Sequence, residues 1–390
     1  MKRFKNKYQK IHLNNNIYLS KEKLKEKLKN KNYKLLFFFI IIICILSFLF
    51  LIRKLYKNNI NNNSPIISNT SNSSDIKLNI IENDFIKDIK KILKDDEILE
   101  NEMMNKYTTF KLGGPAKYFI KPKTINQIIE IIQLSNKYKI PYFILGNGSN
   151  LLVSDKGYNG IVIQINENNF SYLKSAEKDS NTFLLTVGGG MLMRTLSIEA
   201  CLLSLTGLEY IIDIPGTVGG GIIMNASYEV GITTYLKKVK VITPEGKILE
   251  LNKEECKFVV RGSLLKDKNY IVIEAIFELK KGDKMIIQKT MTNNTAKRYE
   301  NQPMYFGSAG SFFVWDYRYG SMYKKYQESN LVSYRVGNAM IFTDNIAFIV
   351  NLGNGTASQV MEIVLYIEKI MKEKYNIQMR REVVVIGTFL

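Results

Sequence analysis

The sequence predicts an α+β fold arranged around two glycine-rich loops. Three observations carry that reading. Two glycine-rich stretches stand about seventy residues apart, Leu145-Gly146-Asn147-Gly148-Ser149-Asn150-Leu151 running on to Asp155, and Ile214-Pro215-Gly216-Thr217-Val218-Gly219-Gly220-Gly221 running on to Asn225-Ala226. Short apolar runs of strand character lie around them. Segments with helical spacing are interspersed among those runs. Glycine lets a backbone approach a ligand closely and adopt positive φ, and successive free N–H groups in such turns form an anion-binding concavity. Two such loops in one domain point to a phosphate-bearing ligand gripped from two sides, the bland alternative being a pair of tight turns. Neither stretch is a P-loop, because the Lys-Ser/Thr pair is missing. Gly146 and Gly148 begin a dinucleotide fingerprint, but Leu151 occupies the place of its third glycine.

In chain order, residues 1–34 carry 12 Lys/Arg against only Glu22 and Glu26 and read as a basic tail. Leu35 to Ile52 follow as 18 residues without a charge, at the lower edge of what spans a bilayer as a helix. An uncleaved anchor is the preferred reading over a cleaved signal or an organelle leader, because no clean small-x-small cleavage site follows. Residues 53–79 are an Asn/Ser-rich linker with little to bury. A larger part, 80–283, holds both glycine loops, and a smaller part, 284–390, follows the polar turn Lys280–Asp283. Thr124 is expected to cap a helix whose apolar face is Ile125, Ile128, Ile129 and Ile132. Tyr142–Leu145 and Ile161–Ile165 are expected as strands flanking the first loop, and Phe183–Val187 as a strand ending in three glycines. Met193–Leu203 has helical spacing. Val239–Thr243 and Lys247–Leu251 form a hairpin around Pro244-Glu245-Gly246. Tyr270–Leu279, Ala347–Asn351 and Val383–Ile386 read as strands. Val360, Ile363, Val364, Ile367, Ile370 and Met371 make a late amphipathic helix.

Composition excludes several function classes. The net charge is +19, yet residues 1–85 hold 16 Lys/Arg against 5 Asp/Glu, and the remaining excess is spread without a basic block. No aromatic-basic interleaving accompanies it, so a nucleic-acid partner is not expected. The three cysteines, Cys44, Cys201 and Cys256, form no CxxC pair, and no metal site is expected. The single histidine is His12, in the basic tail. Chemistry in the folded part must therefore use other acids and bases, and Ser-His-Asp, Cys-His and His-metal mechanisms are excluded. Three further positions draw notice. Arg261 ends the apolar run Phe258-Val259-Val260. Ser311 sits in the tight turn Gly307-Ser308-Ala309-Gly310-Ser311 before Phe312-Phe313. Glu382 enters the apolar run Val383-Val384-Val385-Ile386, where desolvation can shift a carboxyl pKa. On residues alone, each also reads as a surface arginine, an ordinary turn serine and an exposed glutamate.

Taken together, the chain from about residue 90 onward resembles the UDP-N-acetylenolpyruvoylglucosamine reductase family, in its shorter type. The resemblance is carried in order by Thr108-Thr109-Phe110-Lys111-Leu112-Gly113-Gly114-Pro115-Ala116, the Gly146–Asp155 loop, Gly207-Leu208-Glu209, Ile214–Gly220 and Met224-Asn225-Ala226. Arg261-Gly262-Ser263, Lys297-Arg298, Gln302-Pro303, Ser308-Ala309-Gly310-Ser311, Tyr334-Arg335-Val336-Gly337, Phe348-Ile349-Val350-Asn351 and Glu382-Val383 complete it. It implies two FAD-binding subdomains of the vanillyl-alcohol-oxidase type in 80–283 and a substrate-binding domain in 284–390. By the same resemblance Gly146, Asn147, Gly148, Ser149 and Asn150, with Pro215, Gly216, Thr217, Gly219, Gly220 and Asn225, hold FAD. NADPH is the reductant and UDP-N-acetylglucosamine enolpyruvate the substrate. Arg261 and Glu382 stabilise enolic charge, and Ser311 donates a proton to C2. A monomer is expected.

Several flanks depart from the family pattern. Val260 replaces a usual tyrosine, Val314-Trp315-Asp316-Tyr317 replaces a usual Lys-Asn/Arg-Pro, Asp344-Asn345 replaces Lys-His, and Val384 replaces an arginine. Arg380 or Arg381 stands where a glutamate is usual. The flavin site is thus better kept than the nucleotide-sugar site. Besides the reductase, two alternatives remain: a membrane-tethered flavin-binding relative without this activity, and another oxidase of the same fold attaching FAD through Cys201 or Cys256. The excess of positive charge before the span places the N-terminus in the cytoplasm and the folded part outside, whereas NADPH and UDP-sugars are cytoplasmic.

Overall fold

The structure, a computed structural model, describes residues 73–389 except Tyr228. The basic tail, the Leu35–Ile52 segment and most of the expected linker lie outside the described residues. Among the described residues no helix is long and apolar enough to cross a membrane. The last part of the expected linker is instead helical, because α1 spans Ser73–Ile89. Its Phe85 and Ile89 are fully buried against Tyr118, Ile120 and Ile131, which anchors a helix that polar composition had hidden.

The first sheet joins β1 (Ile98–Met103), β2 (Pro115–Ile120), β3 (Tyr142–Leu145) and β5 (Tyr158–Gln164) in the order β1-β2-β5-β3, while β4 (Leu151–Val153) lies outside it. β1 and β2 are antiparallel, and β5 runs parallel to both its neighbours. Helix α2 (Ile125–Tyr138) begins where expected. Thr124 accepts from the backbone N–H of Gln127, whose side chain returns to Thr124 N in a capping box. Ile128, Ile131 and Ile132 are buried and Ile125 and Ile129 pack at the margin.

The second sheet contains β6 (Leu173–Asp179), β7 (Thr182–Gly188), β9 (Leu236–Ile242), β10 (Ile248–Asn252) and β11 (Ile271–Lys281) in the antiparallel order β10-β9-β11-β7-β6, with β8 (Leu205–Thr206) beside the end of β11. Edge strand β6 reads LKSAEKD and is almost wholly exposed, a charged edge that resists further pairing. It lacks the apolar signal that the expected strands carry. Helices α3 (Met193–Leu202) and α4 (Val218–Ile223) cover this sheet's core, while α5 (Leu264–Asp267) leads into β11. Cys201 and Cys256 are buried in this half.

The turn before residue 284 is shorter than expected, because Lys280 and Lys281 belong to β11. Asp283 caps α6 (Lys284–Asn301) by accepting from Met285 N and Ile286 N. This helix remains attached to the glycine-loop half: Asn294 Nδ2 donates to Glu209 O at 3.2 Å, and Thr295 Oγ1 bonds to Asp213. Beyond it come α7 (Met322–Glu328), the antiparallel sheet β12 (Arg335–Val336), β13 (Ala339–Ile341) and β14 (Ile349–Asn351), then α8 (Ala357–Tyr375) and β15 (Val384–Ile386).

The end of the chain positions the site. β15 does not join the β12-β13-β14 sheet. It pairs in parallel with β4, placing Val384 opposite Leu151, Val385 opposite Leu152 and Ile386 opposite Val153. The first glycine loop therefore leads directly into a strand that carries the C-terminus beside it. A second tie comes from Asp155 at the end of that loop. Its carboxylate accepts from Ala357 N and Ser358 N, both at 2.8 Å, and from Ser358 Oγ at 2.6 Å, at the start of α8. Asp155→Ala should lower stability by about 1–2 kcal/mol, as loss of a helix cap does, measured by urea unfolding. Asp155→Asn should lose less, and equal loss in both variants would show that the carboxylate charge rather than the acceptor geometry matters.

Candidate active site

Both glycine loops line one cavity of about 1560 Å³. Gly146, Asn147, Gly148, Ser149 and Asn150 form one part of its wall, and Pro215, Gly216, Thr217, Gly219 and Gly220 form another. The loops touch: a Cβ on Gly146 would lie 2.6 Å from Thr217 Oγ1, so only glycine lets them meet. Gly148 takes φ +61°, and a Cβ there would strike Tyr107 O at 2.0 Å. Among the described residues the backbone N–H groups of Asn147, Gly148 and Ser149 have no hydrogen-bond partner. Gly148 is buried and Ser149 half-buried, whereas Asn147 is exposed. Covered amides left unpaired are costly, and a phosphate-bearing cofactor would satisfy them, so this loop fits an anionic ligand. Asn225 is the exception among the expected cofactor residues. It does not line the cavity. Its Nδ2 donates to Val259 O at 3.0 Å and its Oδ1 accepts from Thr233 Oγ1 at 2.6 Å. It holds the Arg261 turn.

Arg261, Ser311 and Glu382 line the same cavity. Arg261 Nε and Glu382 Oε1 are 2.8 Å apart, with both side chains largely covered. Arg261 also donates to Ser227 Oγ at 3.1 Å and Ser227 O at 3.3 Å. Its backbone has φ +57°, uncommon for a residue with a Cβ and costing about 1–3 kcal/mol. The turn is held there by reciprocal backbone bonds between Val259 and Gly262, at 3.0 and 3.1 Å, and by Ser263 Oγ donating to Ile223 O at 2.8 Å. Glu382 follows from the β15 pairing. Val384 N donates to Asn150 O at 3.0 Å, and Asn150 Nδ2 donates to Glu382 O at 3.1 Å. Burial pushes the Glu382 carboxyl above its ordinary value, and the Arg261 guanidinium opposes that shift. The serine strand is tied to the same place, since Glu382 N donates to Phe312 O at 2.9 Å.

Sequence reading assigns no role to three further contributors. Ser227 fixes the guanidinium. Thr109 N donates to Gly148 O at 3.2 Å while Thr109 Oγ1 donates to Ser308 O at 2.7 Å, joining the first glycine loop to the Ser311 turn. Trp315 lines the cavity and its Nε1 donates to Ser311 Oγ at 3.2 Å. The sequence marks it only as a departure from the family pattern, with no role attached. Cys201 and Cys256 are absent from the cavity wall, and burial pushes the Cys256 thiol up to about 11. Neither is disposed to attach a cofactor covalently.

Comparison with known proteins gives the family. A family model described as FAD binding domain matches residues 116–252, and one described as UDP-N-acetylenolpyruvoylglucosamine reductase, C-terminal domain, matches residues 302–386. The fold and its cavity are those of an FAD-dependent oxidoreductase. The UDP-N-acetylenolpyruvoylglucosamine reductase of Lachnoclostridium phytofermentans is 35% identical over 306 residues, covering 78% of this chain and 98% of that protein. That of Clostridium botulinum Eklund 17B is 36% identical over 297 residues, covering 76% and 95%. The crystal structure of the Thermus caldophilus enzyme superposes with TM-score 0.61 at 31% identity, covering 74% of this chain and all of that one. The chain belongs to the UDP-N-acetylenolpyruvoylglucosamine reductase family.

The Arg261–Glu382 geometry carries a pH consequence. The ion pair requires ionised Glu382, and burial raises the pH at which it ionises. Turnover should therefore fall with decreasing pH along a limb lying above the ordinary glutamate range. That limb should vanish from the pH–rate profile of Glu382→Gln. Its persistence in the variant would assign it to another group.

Proposed function

We propose that this chain reduces UDP-N-acetylglucosamine enolpyruvate to UDP-N-acetylmuramate, a step of peptidoglycan precursor synthesis, using NADPH as reductant. The observation that carries the proposal is the convergence of Arg261, Ser311 and Glu382 on the cavity walled by both glycine loops. FAD, when bound, supplies the hydride, drawn from NADPH, for C3 of the enolpyruvyl ether. Gly146–Asn150 and Pro215–Gly220 would hold it. The chain's own residues act on the remainder of the substrate. Arrival of hydride at C3 leaves charge at C2 that spreads into the carboxylate. Arg261 faces that charge as a donor, and Glu382 fixes the guanidinium through the 2.8 Å contact. A preorganised donor of this kind is commonly worth ~3–4 kcal/mol. Ser311 Oγ–H protonates C2. Serine is a weak acid, so the step depends on a site from which water is excluded and in which charge is already stabilised. Among the residues lining the cavity none is histidine, and the serine role follows from the family resemblance.

We further propose attachment to a membrane through Leu35–Ile52, with residues 80–390 facing the cytoplasm. Positive charge ahead of the span favours the opposite orientation, but NADPH and UDP-sugars are found in the cytoplasm, and the reaction fixes the side. The reading rests on the uncharged composition of that segment. Protease added to intact cells should leave the folded part uncut, and cleavage there would sink the orientation.

Ser311→Ala should bind flavin and accept electrons from NADPH at the wild-type rate. Its reoxidation by the enolpyruvyl substrate should slow by roughly 10²–10⁴-fold, the usual worth of a positioned acid. Stopped-flow absorbance of the flavin separates the two half-reactions. Bound flavin in the wild-type protein that the substrate does not reoxidise would overturn the proposed function itself.

A further inference from the structure

The departure at residue 315 places a hydrogen-bond donor on the proposed acid. Trp315 Nε1 lies 3.2 Å from Ser311 Oγ, and Ser311 Oγ in turn donates to Phe313 O at 3.1 Å. An indole N–H donates and cannot accept. Ser311 Oγ must therefore be the acceptor of this pair, and its own proton is directed elsewhere. In this structure the proton goes to the Phe313 carbonyl. Rotation about the Cβ–Oγ bond can carry it to a substrate carbon while the oxygen remains held by the indole.

The arrangement is rigid on both sides. The indole packs on the C-terminal core, tilted 33° to the Tyr326 ring with centroids 6.2 Å apart, and Tyr326 is buried. The Ser311 backbone bridges to Phe348, Phe312 N donates to Ala347 O at 2.8 Å, and Val314 N donates to Arg380 O at 2.8 Å. A fixed donor aimed at an oxygen that becomes negative strengthens as the charge grows.

We propose that Trp315 is a positioning residue that makes Ser311 a competent acid. The inference rests on the proposed reduction. In the step, the Ser311 O–H bond breaks and a C2–H bond forms from the electron pair of the enolic double bond. The serine keeps the O–H pair as an alkoxide, held by the Trp315 N–H, until a water proton restores the hydroxyl. Nothing is oxidised or reduced in this transfer.

Trp315 is the single tryptophan of the chain, so the site can be altered without changing its shape. Ring-fluorinated tryptophan, whose N–H is more acidic, incorporated into the full-length protein should speed substrate-dependent flavin reoxidation and leave reduction by NADPH unchanged. Trp315→Phe keeps the ring and loses the donor. Its reoxidation should slow about tenfold, the typical net worth of one hydrogen bond, with KM little changed and the solvent deuterium isotope effect increased. In a Ser311→Ala background the same substitution should have no further effect. Unchanged reoxidation in both the fluorinated and the Phe proteins, or equal slowing with and without Ser311, would overturn the inference. If Trp315→Phe does not retain flavin, the fluorinated protein alone decides. Failure of the wild-type protein to turn over the substrate would instead remove the proposed function.

Discussion

The parallel pairing of the final strand, Val384–Ile386, with Leu151–Val153 is the constraint on which the site depends. It brings the last residues of the chain beside the first glycine loop. Glu382 stands two residues ahead of the paired segment, so register sets its place near Asn150, with the Asn150 side chain and Phe312 O holding its backbone. A slip of one residue would turn alternate side chains to the opposite face and carry Glu382 away from Arg261. Asp155 secures the same junction from the other side by capping the helix at Ala357. The loop that walls the cavity is thus also tied to the C-terminal strand and to the start of α8.

The Arg261–Glu382 pair illustrates why such a junction is useful. Burying a carboxylate is unfavourable, and removing one partner of a buried pair leaves an uncompensated charge. Here the glutamate comes from the chain end and the arginine from a turn held at φ +57° by Asn225, Ser263 and the Val259–Gly262 bonds. Each half keeps the other in an otherwise unfavourable state. Strain in the arginine turn and desolvation of the carboxylate are both tolerated because the surrounding packing leaves little alternative. The result is a donor already fixed where negative charge is proposed to develop.

Much of the fold was legible because its segments carry local signals. The Thr124 cap with Gln127 announces α2, the Pro244-Glu245-Gly246 turn announces the β9–β10 hairpin, and the apolar face Val360–Met371 announces α8. Helix α1 was hidden by its polar neighbours, and β6 by its charged side chains, since an exposed edge strand needs no apolar residues. The Lys280–Asp283 turn was read too long, because a strand end and a turn share the same polar lysines.

The glycine loops, Arg261, Ser311 and Glu382 were each visible as residue types in unusual settings. The sequence by itself determined the two loops, the lack of histidine beyond His12 and the family to which the pattern belongs, because these are properties of composition and order. Only the tertiary structure decided that Glu382 meets Arg261, that Asn225 supports the arginine turn instead of facing the cavity, and that Trp315 donates to Ser311. Those contacts depend on strand register and on which faces of distant segments pack together, and a linear pattern of residue types carries neither.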